Sequence, residues 1–213
     1  MNERPVGWSP PSSAPTDPDR LPALNGSLLF SAGRKASEVT DFLRFLSPPV
    51  PAMLEIGFDH GMCLVDRART FPDTLQVGLE IREARVTRLR PHLPGTAFAW
   101  RADARTVLAS VVPPGRFSGI YVLFPDPVWV ESRRRSHLLF SPAFVALCAR
   151  ALAPDGFLHV VTDVEPYHTW IRSLLTAWTP SPDPPLGTEI SRRERVCRRD
   201  GLMITRGTWT RPA

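Results

Sequence analysis

Four acidic residues, Glu55, Glu80, Asp103 and Asp126, each stand at or just past the end of a short apolar run. If those runs are parallel strands, the acids share one rim. Open parallel sheets bind ligands in the crevice outside the carboxyl ends of their strands, where the strand order reverses. Glu55 leads into Gly57-Phe58-Asp59-His60-Gly61, a turn in which Gly57 and Gly61 let backbone approach a ligand closely. Glu80 follows 25 residues later, where a carboxylate can accept both hydroxyls of a ribose. Asp103, in Arg101-Ala102-Asp103-Ala104, is placed to accept from an adenine amino group. A phosphate-bearing dinucleotide would want Gly-x-Gly-x-x-Gly and no carboxylate in the loop, because the helix start must receive an anion. Here Glu55 and Asp59 bracket the turn, which suits a ligand with a cationic, amino-acid-like part. S-adenosylmethionine, with its ammonium and sulfonium, matches better than NAD. Taken singly, each acid is equally an ordinary strand-end or helix-cap residue; their common register argues for a ligand site.

Phe124-Pro125-Asp126-Pro127 follows the fourth apolar run, and prolines on both sides of Asp126 are expected to hold the backbone extended and the carboxylate over the crevice. The plainer alternative is a proline-stiffened loop with a capping aspartate.

The elements that must position these residues are legible as runs alternating with helical stretches. Strands are expected at 53–56, 76–80, 97–101, 119–124 and 157–162, and helices at 62–70, 83–92, 106–112, 142–152 and 166–178. Pro154-Asp155-Gly156 reads as a turn. The order predicts an α/β fold: a Rossmann-like, doubly wound, mostly parallel sheet. Two late segments, 187–192 and 202–211, alternate in a way that suits a C-terminal antiparallel hairpin closing the sheet edge. Residues 1–23 hold six prolines among serines and charges, which predicts a mobile tail before a single domain from 24 to 213.

The 213-residue chain is 43% hydrophobic, enough for one core, and its apolar runs stop far short of the roughly 20 residues a membrane span needs. A cytoplasmic location is expected. Cys63, Cys148 and Cys197 are widely spaced and form no Cys-x-x-Cys pair, and His60, His92, His137, His159 and His168 show no ligand spacing, so no metal is expected. The net charge of +5, carried almost wholly by arginine, permits a polyanionic partner.

With these residues in place, a family resemblance becomes specific. Leu54-Glu55-Ile56-Gly57-Phe58, Val77-Gly78-Leu79-Glu80-Ile81-Arg82, Arg101-Ala102-Asp103-Ala104, Phe124-Pro125-Asp126-Pro127 and Thr162-Asp163 resemble, in order and spacing, the bacterial tRNA (guanine-N7)-methyltransferase family. The resemblance covers about residues 50–211 and implies the class I methyltransferase fold, S-adenosylmethionine as methyl donor and a variable-loop guanine of tRNA as target. It implies that Glu55, Glu80, Asp103 and Asp126 contact the cofactor, with Gly57 and Gly61 shaping its loop, and that Asp126 is catalytic. It also implies that Asp163, Thr188 and Ser191 face the target nucleotide, with Val130, Arg133 and Arg134 in the substrate-side loop. The sequence departs from the family at three of its usual residues. Asp59 replaces the middle glycine, Val130 an aligned lysine, and Ser191 the closing glutamate of the late Thr-x-aromatic-Glu motif, for which Glu189 or Glu194 is a candidate substitute.

Arg133, Arg134 and Arg135, together with Arg192, Arg193, Arg195, Arg198 and Arg199, would make two phosphate-gripping patches beside the crevice, or else solvated charge runs. Trp129 and Tyr167 are candidates for base stacking; Trp170, Trp178 and Trp209 are expected in the core. A methyltransferase acting on tRNA is the leading expectation, as monomer or homodimer. The alternatives are a methyltransferase of another RNA or a small molecule, and an RNA-binding relative with weakened catalysis.

Overall fold

The computed structural model describes residues 36–127 and 138–212. The proline-rich tail, Trp129, Val130 and Arg133–Arg135 therefore lie outside the described residues. Helix α1 (Ala36–Phe45) precedes β1 (Ala52–Ile56), α2 (Met62–Thr70), β2 (Leu75–Glu80), α3 (Glu83–Leu89) with a 3-10 turn at Arg90–His92, β3 (Ala97–Arg101), α4 (Ala104–Ser110) and β4 (Phe117–Leu123). Then follow α5 (Pro142–Ala151), β5 (Leu152–Thr162), α6 (Glu165–Leu174), the short β6 (Thr179–Pro180), α7 (Arg192–Arg199) and β7 (Thr205–Thr210).

The sheet order is β3-β2-β1-β4-β5-β7-β6. Strands β1 to β5 pair in parallel, and β7 runs antiparallel to both β5 and β6. The chain winds outward from β1 through β2 to β3, then crosses to β4 on the other side, so the strand order reverses between β1 and β4. A doubly wound sheet opens its ligand crevice at that reversal.

Alternation along each strand sends side chains to opposite faces. Leu54, Val77, Ile120 and Leu158 join one core with Phe42 of α1, Leu108 of α4, Phe144 of α5 and Ile171 of α6. On the opposite face, Phe58, Leu64, Val86, Leu89 and Ala99 form a smaller core under α2 and α3. That face turns polar toward β7. Glu55, Tyr121, His159 and Thr208 are laterally paired across β1, β4, β5 and β7, and all four are buried.

Three expectations are corrected. Residues 187–192 form no strand: the antiparallel partners of β7 are β5 and Thr179–Pro180, and Arg192, Arg193, Arg195, Arg198 and Arg199 belong to helix α7. The reason is local, because Ser191 accepts a hydrogen bond from the Glu194 amide at 3.1 Å, a helix N-cap that strand alternation cannot use. Pro154-Asp155-Gly156 falls inside β5, where Asp155 adopts φ 59° and the pairing with β4 shifts between Phe117 and Gly119. Tyr167 is fully buried against Phe140 in the main core, so it offers no face for stacking; Trp178 and Trp209 are buried there as expected.

Candidate functional site

A cleft of about 580 Å³ opens at the strand reversal. It gathers Glu55, Gly57, Glu80, Asp103, Asp126 and Ser191, brought by the ends of β1, β2, β3 and β4 and by the start of α7. Gly61 does not line it. Its φ of 75° sits at the N-cap of α2, and a Cβ there would meet the Leu89 side chain at 2.3 Å, so its glycine serves the packing of α2 on α3. Gly57, also at φ 75°, leaves open space where a Cβ would project, as close approach of a ligand requires.

Glu55, Glu80 and Asp103 each meet a cation that the motif pattern did not reveal. Glu55, 3% exposed, pairs with the equally buried Arg67 of α2, whose guanidinium lies 4.2 Å over the Tyr121 ring and donates to Gln76 at 3.4 Å. Burial drives the Glu55 carboxyl upward from its ordinary pKa, and Arg67 pulls against it by charge and hydrogen bond. Glu80, 4% exposed, accepts from the Arg82 amide at 2.9 Å and lies 3.8 Å from Arg85 of α3. Asp103 caps α4, accepting from the Arg105 amide at 2.8 Å and from its guanidinium at 2.7 Å. Burial works to raise Asp103, but the bonds from Arg105 outweigh it and hold the carboxyl below its usual range.

Asp59, standing where the family usually has glycine, adopts φ 53° and pairs with Arg85. The position does require the left-handed conformation, which aspartate tolerates better than most residues. In the Phe124–Pro127 loop, Phe124 adopts φ 52°, not the extended form expected before a proline. A bulky aromatic held there stores strain of about 1–3 kcal/mol, and such strain clusters at working sites. Its amide donates to the Val161 carbonyl at 2.7 Å, which ties the loop to the end of β5 and leaves Asp126 exposed on the cleft rim. Ile81 is 65% exposed yet lines the same cleft, an apolar surface beside Glu80 for a flat ring.

The late residues are arranged differently from expectation. Asp163 is engaged by Arg193 of α7, with the Arg193 Nε at 3.1 Å. Thr188 lies outside the cleft lining: its hydroxyl and amide donate to the two carboxylate oxygens of Asp66 at 2.9 and 2.6 Å, and the Glu189 amide adds a third bond at 3.0 Å. Burial would raise Asp66, but these three bonds outweigh it and lower its pKa. Gly187 is obligatory in this clamp, since at φ 82° a Cβ would sit 2.2 Å from the Asp66 carboxylate. Ser191 reaches the cleft but spends its hydroxyl on capping α7. Glu194 is buried and holds Arg198 and Arg206, and Glu189 pairs with Arg195, so neither carboxylate stands in for a glutamate at 191.

Cys63, Cys148 and Cys197 are free and buried; burial pushes the Cys63 thiol up to about 12. Among the described residues no group of three or more metal-ligating side chains comes together, and no helix is long and apolar enough to cross a membrane.

The sheet order and an acid-rimmed cleft at its reversal define the fold of class I methyltransferases. The solved 16S rRNA methyltransferase KamB shares it with a TM-score of 0.60 over 82% of this chain and 94% of that one, at 16% identity. The chain belongs to the Methyltransf_4 family, described as "Putative methyltransferase", whose pattern matches residues 49–180. It is similar to tRNA (guanine-N(7)-)-methyltransferases of Alkalilimnicola ehrlichii, 35% identical over 67% of this chain, and of Chromohalobacter salexigens, 34% identical over 55% of it. The matched stretch spans 61% and 49% of those two relatives' own lengths.

Proposed function

We propose that the chain transfers a methyl group from S-adenosylmethionine to N7 of a guanine in tRNA, in the cytoplasm, through a single domain spanning residues 24–213. The observation that carries this reading is the convergence of Glu55, Glu80, Asp103 and Asp126 on one cleft at the strand reversal. Similarity to proteins named for that reaction supports it over 67% of the chain.

The cleft fits the cofactor by its chemistry. Glu80 would accept the ribose hydroxyls, Asp103 the adenine amino group, and Ile81 would supply an apolar surface for the ring. Glu55 and Asp126 would face the cationic methionine end, with Gly57 letting backbone come close. The bound cofactor supplies an electrophilic methyl group on a sulfonium. Guanine N7 carries an in-plane lone pair and needs no base to remove a proton, so orientation and charge placement are the work left to the protein. Asp126 would accept from the guanine N1–H and amino group, aiming N7 and offsetting positive charge that grows on the base. Asp163 would join it once Arg193 is drawn off.

The test is single-turnover transfer of labelled methyl to tRNA lacking the modification, with the labelled nucleoside identified. Asp126→Asn keeps the shape and removes the anion, and transfer should fall by about 2–4 kcal/mol of transition-state stabilisation while tRNA binding changes little. Label elsewhere than guanine N7 would favour a methyltransferase of different target. The Ser191 cap and the internal pairing of Glu189 and Glu194 favour a second reading, an RNA-binding relative with weakened catalysis. Intact tRNA binding with no transfer by the wild-type protein would select it.

A further inference from the structure

Five arginines stand on α7, and four of them have a carboxylate partner: Arg193 with Asp163, Arg195 with Glu189, Arg198 with Glu194 and Arg199 with Asp200. Arg192 has none among the described residues. Its guanidinium donates instead to the His60 ring nitrogen Nε2 at 3.3 Å. His60 lies in the cofactor-side turn, 3.9 Å from Asp59, and Asp59 pairs with Arg85, which lines the cleft. Arg192, His60 and Arg85, from three separate elements, are thus linked in a chain through Asp59 at the cleft rim. Asp59, the residue that departs from the family's glycine, joins His60 to Arg85.

Two guanidinium groups brought near one another repel, and burial together with Arg192 lowers the basicity of Arg85. Asp59 and Glu80 both face Arg85, whereas Arg192 has only the neutral His60 Nε2 as an acceptor, so its charge and its remaining N–H donors are left without a carboxylate among the described residues. An anion with several oxygens satisfies such a set, and guanidinium forks match phosphate oxygens in pairs. The positive end of the α7 dipole adds to the same field, because Arg192 is the first residue of that helix.

We infer that His60, Arg85 and Arg192 form an anion subsite at the rim of the cleft, and that it takes a backbone phosphate of the RNA beside the target nucleotide. This rests on the tRNA reading above. The carboxylate end of the cofactor offers related chemistry, and the experiment separates the two.

Arg192→Gln is compared with Arg199→Gln, a change on the same helix at an arginine already paired with Asp200. Binding of tRNA is titrated against salt for each. One phosphate contact contributes about 0.7–0.9 to the slope of log affinity on log salt. Arg192→Gln should make the slope shallower by about that amount and weaken binding several-fold, with affinity for S-adenosylmethionine unchanged, while Arg199→Gln changes neither. Equal effects of the two variants, or none, overturn the subsite. Loss of cofactor affinity in Arg192→Gln with tRNA binding intact overturns the phosphate assignment in favour of the cofactor carboxylate. A second measurement does not depend on the RNA reading: titration with inorganic pyrophosphate, followed by the His60 imidazole resonances. A saturable shift in the wild-type protein that Arg192→Gln abolishes supports the anion site. No shift removes it. If the shift is present but the wild-type protein does not bind tRNA, the RNA reading falls and the backbone-phosphate assignment with it.

Discussion

The pairing of Glu55 with Arg67 shows how little room a single residue has at this site. Both side chains are almost wholly buried, so removing one partner leaves a charge without water or counter-ion. Arg67→Met should destabilise the fold by about 3–5 kcal/mol, and adding Glu55→Gln should recover much of that loss, because two neutral groups no longer require each other. Urea unfolding of the two single variants and the double variant checks it; simple additivity would mean that the pair is not coupled. Glu80 tests the cofactor instead of the fold. Glu80→Ala removes a charge-assisted pair worth about 1.5–3 kcal/mol, or one to two decades of affinity for S-adenosylmethionine. Equal calorimetric affinities of wild type and variant would remove Glu80 from the cofactor site.

At the scale of elements, Asp66 joins what the sequence holds 122 positions apart. It sits on α2, which starts directly after the Gly57–Gly61 turn, and its three hydrogen bonds fasten the 187–189 segment that leads into Ser191 and α7. Asp66→Ala should cost about 1–2 kcal/mol, less than a buried charged network, since Thr188 and Glu189 are exposed. Hydrogen exchange should accelerate at the amides of Thr188 and Glu189 and not in β1 or β4. Gly187→Ala should be destabilising in the wild type through both its φ and its clash with the Asp66 carboxylate, and less so in Asp66→Ala, where only the φ penalty remains. Protected amides in Asp66→Ala would show that the segment is held by other contacts. A smaller effect is expected at the start of α7, where Ser191→Ala should cost about 1 kcal/mol by losing the cap.

For the whole molecule, the polar row across the sheet links stability to pH. His159 is buried between Tyr121 and Thr208, bonded to the Thr208 hydroxyl at 2.8 Å, which in turn donates to Asp183 at 2.9 Å. Burial lowers the His159 pKa to about 4, with attraction from Asp183 only partly opposing it. The folded state therefore keeps the imidazole neutral over a range in which the unfolded chain protonates it. Stability from this residue is complete above the unfolded value near 6.5 and is lost as pH falls toward 4, by at most roughly 3 kcal/mol. His168, lowered in the same direction by burial, adds to the slope. His159→Gln should flatten the dependence of unfolding free energy on pH between 4 and 6.5, leaving the part due to His168. An unchanged slope would mean that His159 does not titrate on unfolding as described.

The order of strands and helices from β1 through α6 was legible in the sequence, because apolar periodicity and turn residues are local, whereas helix α1 was not read there. The position of the four acids was legible for the same reason: a residue at the end of an apolar run ends up at the end of a strand. What the carboxylates around the cleft face was not legible. Arg67, Arg85, Arg105 and Arg193 reach Glu55, Asp59, Asp103 and Asp163 by long side chains, three of them from other elements, and no local pattern records that reach. The end of the chain divides the same way. Serine at 191 with glutamate at 194 was a readable helix cap, and Glu194 and Cys197 lie buried at helical spacing, yet apparent alternation over 187–192 favoured a strand. The serine cap starts the helix locally and the fold is consistent with it, because β7 pairs with β5 and β6 and the segment before α7 is held by Asp66. Local sequence determined which elements form and where the acids stand; tertiary packing decided which charges oppose them and therefore which remain to meet a ligand.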